Sequence, residues 1–507
     1  MTGWLRPISK LSPLRYRVSP YHLMTLINTS LRFIACITSF LGLIKAEENT
    51  APDRPNILWV YIEDQSPLMS CYGYDFNPTP VFDQLAHEGV LFSKAFMPAP
   101  VCSSTRSALI TGCMQTSLGI HHHRSSRTEE SMIHLPEGFH TIPELFRAEG
   151  YYTFNQGKDD YNFSYNREDL YSGKYKVERK GDFIKSILGA PVSWNQVESS
   201  QPFFGQIQLS GGKSKASIPP IDPDLVKVPP CYPDVPLVRN YWARHFDQAR
   251  IIDRELSAIL QKLKDHNMYQ NTVVFVFSDH GWNIGLRHKQ FCYDGGLHVP
   301  LAISWPAHQE KIRGGSPRHD LISGIDIPTT SLSLAGIPIP DYMEGLDIFA
   351  PGYQRDCVIS ARDRCDYTID RIRTVRTEHF RYIKNGYPDR PYMQPQYRDG
   401  KDITRLLKEM YKKGELNEAQ STFWSEFRPA EELYDLRSDP HETINLAANP
   451  DYQEDLLRHR TILAQWTEQT DDKGLYPENA AQRSATILRW GKKCTAPEYD
   501  SVKANQQ

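Results

Sequence analysis

The stretch RPNILWVYIEDQ (residues 54–65) is an almost unbroken apolar run that closes on two adjacent acids, Glu63 and Asp64. Apolar residues at nearly every position, rather than every second one, predict a strand buried on both faces, as in a parallel sheet. A second such run, NTVVFVFSDHG (residues 271–281), closes on Asp279 and His280. Around these two, strand and helix patterns alternate. TPVFDQLAHEGVLFSKAF (79–96) predicts a helix capped by Thr79, opened by Pro80 and stopped by Gly89, then a strand from Val90 to Phe96. TIPELFRAEGYYTFNQGK (141–158) repeats helix, glycine, strand. PFFGQIQLS (202–210) and HVPLAISWP (298–306) add further strands. VRNYWARHFDQARIIDRELSAILQKLKDH (238–266) is the longest helix, with Ile252, Leu256, Ile259 and Leu263 on one face.

This alternation predicts an α/β fold, a doubly wound, mostly parallel sheet sandwiched by helices. Functional groups in such sheets gather at the carboxyl ends of strands, where both acidic pairs fall. After about Pro351 the character changes. RIRTVRTEHFRYIKNG (371–386) predicts a basic strand pair. A polar, Tyr-rich helical insertion, EELYDLRSDPHETINLA (431–447) and a final helix from Asp451 to Thr470 follow. The expected organisation is a catalytic domain over residues 50–350 and a smaller C-terminal α+β subdomain over 351–507. SIPPIDPDLVKVPPCYPDVP (217–236) is Pro-rich but apolar, so an ordered wrapping loop is expected there.

Of 507 residues, 40% are hydrophobic and 23% charged, with a formal net charge of -3. No global basic field points to nucleic acid. Arg32 precedes the apolar run FIACITSFLGLI (33–44), and KAEEN follows. This reads as a signal peptide cleaved near Ala46, with residues before Met24 an over-extended start, so residues 1–46 would leave an exported, periplasmic or secreted protein. The run is too short for a comfortable bilayer span, and no membrane span is expected in the mature chain. Nine cysteines are scattered without a C-x-x-C pair, so the fold does not depend on a disulfide framework.

The chemistry concentrates in PAPVCSSTRSALITG (98–112). Cys102 sits just before a helix expected from Ser103 to about Thr111, where free N–H groups and the helix dipole favour negative charge. Arg106 lies one turn on, on the same side. Alone, this pair would pass as a helix-start thiol and a surface arginine. The extended string CSSTRSALITG, however, resembles the sulfatase signature, C-x-P-S-R followed by a hydrophobic pair and T-G. The runs at 54–65, 79–96, 145–158, 274–306 and 432–447 are similar to further sulfatase segments and occur in the family's order. GKDDYNF, FFGQIQLSGGK and ARDRCDYTIDRIRTVRTEHFRYIKN resemble the heparan N-sulfatase branch of that family.

The resemblance implies a sulfuric ester hydrolase in which Cys102 is converted to formylglycine by a maturation enzyme. One hydroxyl of the hydrated aldehyde attacks sulfur and the other then expels sulfate, which splits one difficult step in two. It also implies Ca2+ held by Glu63, Asp64, Cys102, Asp279 and His280; oxygen ligands alone also admit Mg2+. Arg106, Lys158 and Lys289 would neutralise sulfate and the leaving oxygen. His288 reads equally as a proton donor or a bystander. Lys213 and His123, the last of three consecutive histidines, are candidate substrate contacts. So are Arg373 and Arg376, for which a solvated basic strand is the equal alternative. The implied substrate is a sulfated oligo- or polysaccharide, as a sulfate ester or an N-sulfate.

The chain departs from the family pattern at several points. Ser104 stands for the usual Pro and Thr105 for the usual Ser. Glu63 stands where Asp is usual. GKDD gives Lys158 and Asp160 where many sulfatases carry Lys-x-His, and QLSGGKSK places Lys213 where a His-containing stretch is common. Two alternatives follow: a phosphodiesterase or phosphonate hydrolase on the same scaffold, or an unmatured pseudo-sulfatase that only binds sulfated glycans.

Overall fold

The computed structural model describes residues 54–214, 218–312 and 314–504. The expected signal segment lies outside them. Among the described residues, no helix is long and apolar enough to cross a membrane.

The run at 54–65 forms β1 (Asn56–Ile62), buried throughout. Strand alternation explains how a uniformly apolar segment is used. Ile57, Trp59 and Tyr61 enter one hydrophobic core, and Leu58, Val60 and Ile62 the core on the opposite face. The sheet contains β2 (Val90–Phe96), β3 (Tyr152–Gln156), β6 (Phe203–Leu209), β7 (Thr272–Ser278), β8 (His298–Ser304) and β9 (Arg318–Ser323), with β4 (Tyr175–Lys180) and β5 (Phe183–Gly189) a separate hairpin. Its order is β3-β6-β1-β7-β8-β2-β9. β1 pairs in parallel with both β6 and β7, β3 with β6, and β2 with β9. Only β8 runs against its neighbours β7 and β2.

Helices cover both faces. Ile252, Leu256, Ile259 and Leu263 of the long helix Pro236–Asp265 pack on the face that holds Leu58 and Val60. The helix Ile142–Ala148 contributes Ile142 and Phe146 to the other face, with Leu109 and Ile110 of the helix Cys102–Thr111. The helix Pro80–Glu88 ends at Gly89 as expected, but the Thr79 hydroxyl makes no cap bond. It accepts instead from the Ser70 amide at 3.0 Å.

The C-terminal region forms a four-stranded antiparallel sheet, β10 (Val358–Arg362), β11 (Ile372–Arg376), β12 (Phe380–Asn385) and β13 (Glu431–Asp435). One face joins a core that includes Val238 and Trp242 of the long helix. The other packs on Leu456 and Leu463 of the helix Gln453–Thr470. That helix is not the last element, since Ala480–Trp490 and Asp500–Ala504 are also helical. The Pro-rich loop is ordered: Ile221, Val226 and Tyr232 are buried in the core that holds Trp242.

Candidate active site

Five parallel strands deliver their carboxyl ends to one edge of the sheet, and each is followed by residues of the site. β1 leads to Glu63 and Asp64, β7 to Asp279 and His280, β3 to Lys158, and β6 to Lys213. β2 leads through a short loop to Cys102. Because β1 lies between β6 and β7, its two acids sit between Lys213 and the Asp279–His280 pair.

Cys102 is the first residue of its helix rather than the residue before it; extended Val101 occupies the cap. The thiol is 2% exposed. Its sulfur lies 3.1 Å from His280 Nε2 and accepts from Lys289 Nζ at 3.3 Å. Burial alone would raise the thiol pKa, but Lys158, Lys289 and His280 outweigh it and bring the group down to about 7.

Glu63 and Asp64 are buried and ionised. Burial opposes their charge, yet Lys158, Lys213 and Arg106 hold Glu63 well below the usual carboxylate range. Lys213, Lys289 and His280 do the same for Asp64. The contacts are direct. Arg106 Nη2 donates to Glu63 Oε1 at 2.8 Å, and its Nε to Asp279 Oδ2 at 3.3 Å. The Arg106 guanidinium stacks 4.5 Å from the Tyr61 ring centre, which fixes its plane. Lys158 Nζ is 2.6 Å from Glu63 Oε1, and Lys289 Nζ is 2.9 Å from Asp64 Oδ1. Lys213 bridges Glu63 and Asp64, at 3.2 Å from Asp64 Oδ2. The glycines of QLSGGKSK explain how Lys213 gets there. A Cβ on Gly211, at φ +53°, would fall 1.9 Å from the Glu63 carbonyl oxygen, so only glycine lets this turn pack on the β1 end.

The cluster fits a divalent cation. Asp64, Cys102 and His280, and likewise Glu63, Cys102 and Asp279, offer ligand atoms that all lie within 4.8 Å of one another. Asp64 adopts φ 54° and its amide donates to Asp279 Oδ1 at 3.1 Å, which ties the two strand ends together. His280 Nδ1 lies 2.9 Å from the Gly281 carbonyl oxygen, which orients the ring so that Nε2 faces Asp64 Oδ1 at 3.1 Å. Besides the Cys102 sulfur, the donors are carboxylate oxygens and one imidazole.

The structure does not bring every expected residue to this cluster. The His288 ring is wedged between Trp242 and Trp282, its Nδ1 is 2.5 Å from the Leu286 carbonyl oxygen, and burial pushes it down to about 4. Its hydrogen bonds among the described residues go to Leu286 and Tyr232, not to the cluster. His123 pairs with Asp366 at 3.2 Å. Arg373 and Arg376 are corrected: they are neither solvated nor free for substrate. Arg373 is 4% exposed and donates to Asp472 at 2.6 and 2.9 Å and to Asp363 at 3.2 Å. Arg376 is 6% exposed, stacks on Phe96 and pairs with Asp294 at 3.6 Å. Both faces of β11 are covered, one by the long helix and one by Gln453–Thr470, so its cations are consumed by buried acids.

Two residues near the centre went unrecognised. Arg124 donates its backbone amide to Ser103 Oγ at 2.9 Å and its Nε to Asp160 at 3.3 Å. Arg124, Lys158 and Arg127 keep the buried Asp160 ionised, so it accepts hydrogen bonds and cannot donate one. Asn283 donates to Asp64 Oδ2 at 2.8 Å. Its position three residues past His280 was the available signal; Arg124, at the end of a histidine run, had none.

Comparison with known proteins identifies the family. The family model described as Sulfatase matches residues 55–337, more than half of the chain, and one described as N-sulphoglucosamine sulphohydrolase, C-terminal, matches residues 279–428. An Ulvan-active sulfatase of Formosa agariphila is 31% identical over 472 residues, covering 86% of this chain and 78% of that protein. Human N-sulphoglucosamine sulphohydrolase is 25% identical over 501 residues, covering 85% and 92%. Among solved structures, a 2-O GAG sulfatase superposes with a TM-score of 0.58 at 19% identity, covering 84% and 94%. The phosphonate monoester hydrolase of Agrobacterium radiobacter gives 0.59 at 18%, covering 82% and 96%. At these identities the two structures speak for the fold. The sequence matches carry the assignment: the chain belongs to the sulfatase family of sulfuric ester hydrolases.

Proposed function

We propose that the chain removes sulfate from a sulfated carbohydrate, using Cys102 matured to formylglycine as nucleophile. The observation that carries this reading is the surroundings of the Cys102 sulfur. It lies at a helix start, in contact with Lys289 and His280, with both acidic strand ends beside it. The chain's likeness to an ulvan-active sulfatase and to N-sulphoglucosamine sulphohydrolase supports a carbohydrate substrate, as an O-sulfate or an N-sulfate.

Glu63, Asp64, Asp279 and His280 would hold Ca2+, or Mg2+, beside the nucleophile. When bound, that ion supplies Lewis-acid polarisation of a sulfate oxygen. The protein's own groups do the rest. Arg106 and Lys158 present positive charge to Glu63 and to the face of the site beyond it. Lys289 touches the Cys102 side chain and is placed to hold negative charge on the nucleophile and on sulfate. Lys213, with its side chain 45% exposed, stands at the mouth and can exchange its carboxylate contacts for substrate oxygens. Asp160 orients Lys158 and Arg124. Residues 50–350 form the catalytic part and 351–507 the C-terminal part of an exported enzyme. The maturation enzyme reads CSSTR with Arg106 as the retained cue.

Two measurements test this. Mass spectrometry of the peptide containing Cys102, from the native host, should find the aldehyde. A thiol throughout would leave only glycan binding. Matched aryl sulfate and aryl phosphate esters should then be hydrolysed with strong preference for sulfate. The reverse preference would assign the scaffold to phosphoryl chemistry.

A further inference from the structure

Next to the reaction centre lies a cavity of about 350 Å³ that shares a wall with it. Lys213 and Asn283 form that wall; both also contact the acids at the end of β1. Tyr241 and Arg244, three residues apart and therefore on one face of the long helix, form a second side. Trp282 forms the floor. It is 2% exposed and stacked on His245 at 4.5 Å between ring centres, so its position is fixed. Lys401, at the start of the helix Asp402–Lys412, closes the rim.

The charge of this cavity is one-sided. Among the described residues, Lys213, Arg244 and Lys401 line it and no carboxylate does. Arg244 and Lys401 are exposed and, among the described residues, neither has an ion-pair partner. Asp402, next in the chain to Lys401, pairs with Arg405 on the surface and also acts on Tyr241. This contrasts with the reaction centre, where every cation faces an acid. A rigid aromatic floor, mostly apolar walls and a few converging polar groups characterise small-ligand sites, and the volume leaves room for one pyranose ring with its substituents.

We infer that the cavity between Trp282, Arg244 and Lys401 is a subsite for the sugar adjoining the one that carries the scissile sulfate, and that it selects a neighbour bearing an anionic group. Arg244 and Lys401 bind that group, and Tyr241 flanks the ring. The inference rests on the sulfated-carbohydrate reading, because continuity with the reaction centre places the second sugar there. A carboxylate and a second sulfate share the chemistry that two cations recognise.

The test uses the full chain, Arg244→Ala, Lys401→Ala and the double variant. Three probes are compared: an aryl sulfate without any sugar, sulfated oligosaccharides from ulvan and from heparan sulfate, and the same oligosaccharides with their carboxyl groups reduced. The expected result is an oligosaccharide Kd or KM raised about 10- to 100-fold in the double variant, with aryl sulfate turnover within about twofold. If the selected group is a carboxylate, carboxyl reduction removes the difference; if it is a sulfate, the difference survives reduction. Variants that treat the oligosaccharides as the wild type does, or that lose aryl sulfate turnover equally, overturn the inference. Wild-type hydrolysis of aryl sulfate with no binding of either oligosaccharide also overturns the subsite, while the sulfatase reading stands. Arg244-dependent binding without hydrolysis of any probe would keep the subsite and reject the activity.

Discussion

Two clusters of buried charge stand close in composition and apart in use. In the reaction centre, Glu63, Asp64 and Asp279 face Arg106, Lys158, Lys213 and Lys289. Beneath the C-terminal sheet, Asp294 and Glu442 face Arg376 and Arg381. The second cluster joins β11 and β12 to the short helix Asp294–Leu297 before β8, so it fastens the smaller sheet to the larger. Its partners are backbone carbonyls, acids and aromatic faces, and burial holds the neighbouring Cys292 thiol up at about 12, the opposite of Cys102. The reaction centre adds Cys102 and His280 to its acids, includes the part-exposed Lys213, and collects groups from five strand ends. Charge density alone therefore does not mark the site. What marks it is ligand atoms converging on a reactive side chain with an open flank.

Substitution should separate the two. Cys102→Ala is expected to lower kcat/KM on an aryl sulfate by about 10⁴-fold or more, the scale seen when a nucleophile is removed. Thermal unfolding should change little, because a small side chain replaces a small one. A variant that keeps within tenfold of wild-type activity would remove Cys102 from the chemistry. In the other cluster, Arg381→Met should cost about 3 kcal/mol of stability, since it leaves the part-exposed Asp294 with Arg376 alone and takes the guanidinium away from the buried Glu442 carboxyl. The folded fraction should retain its KM. Arg373→Met tests the correction at β11: about 3 kcal/mol or more of stability lost with KM unchanged is expected, because Asp363 and Asp472 lose the same cation. A raised KM at normal stability would return Arg373 to the substrate site.

The same contrast explains what was readable in the sequence. Glu63, Asp64, Asp279 and His280 follow uniformly apolar runs, and a doubly wound sheet brings such strand ends together. Lys158 and Lys213 also follow strands, β3 and β6, but only the resemblance to sulfatases singled them out. Arg373 and Arg376 misled because a basic strand looks alike whether solvated or paired. Their partners Asp472, Asp363 and Asp294 lie up to 99 residues away, a separation that periodicity does not encode. Arg124 was invisible for a related reason. Its place depends on a hydrogen bond to Ser103 and an ion pair with Asp160, both tertiary. The hairpin β4–β5 also escaped, as its outer residues are largely exposed and carry no clean apolar alternation.

The smallest predicted effect concerns pH and touches only the second cluster. Burial and the neighbouring Asp294 carboxylate push Glu442 from 4.5 up to about 8, against the pull of Arg381 and Arg287. The folded state then holds a proton that the unfolded chain has released. Between about 4.5 and 8 the native state binds more protons than the unfolded state, so this group's contribution to stability falls as pH rises through that window. It is fully present below 4.5 and lost above 8. Glu442→Gln carries a permanent neutral group of the same shape, so its melting temperature should change less between pH 5 and pH 8 than that of the wild type, by a few degrees at most. The contrast with the reaction centre sharpens the test. Glu63 and Asp64 are shifted in the opposite direction, so their contribution is present above the normal carboxylate range and lost only in acid. A flattened profile between pH 5 and pH 8 in Glu442→Gln, with an unchanged acid limb, would assign the neutral-range dependence to the fastening cluster. A profile identical to the wild type would mean that Glu442 stays ionised, held by Arg381 as a simple ion pair.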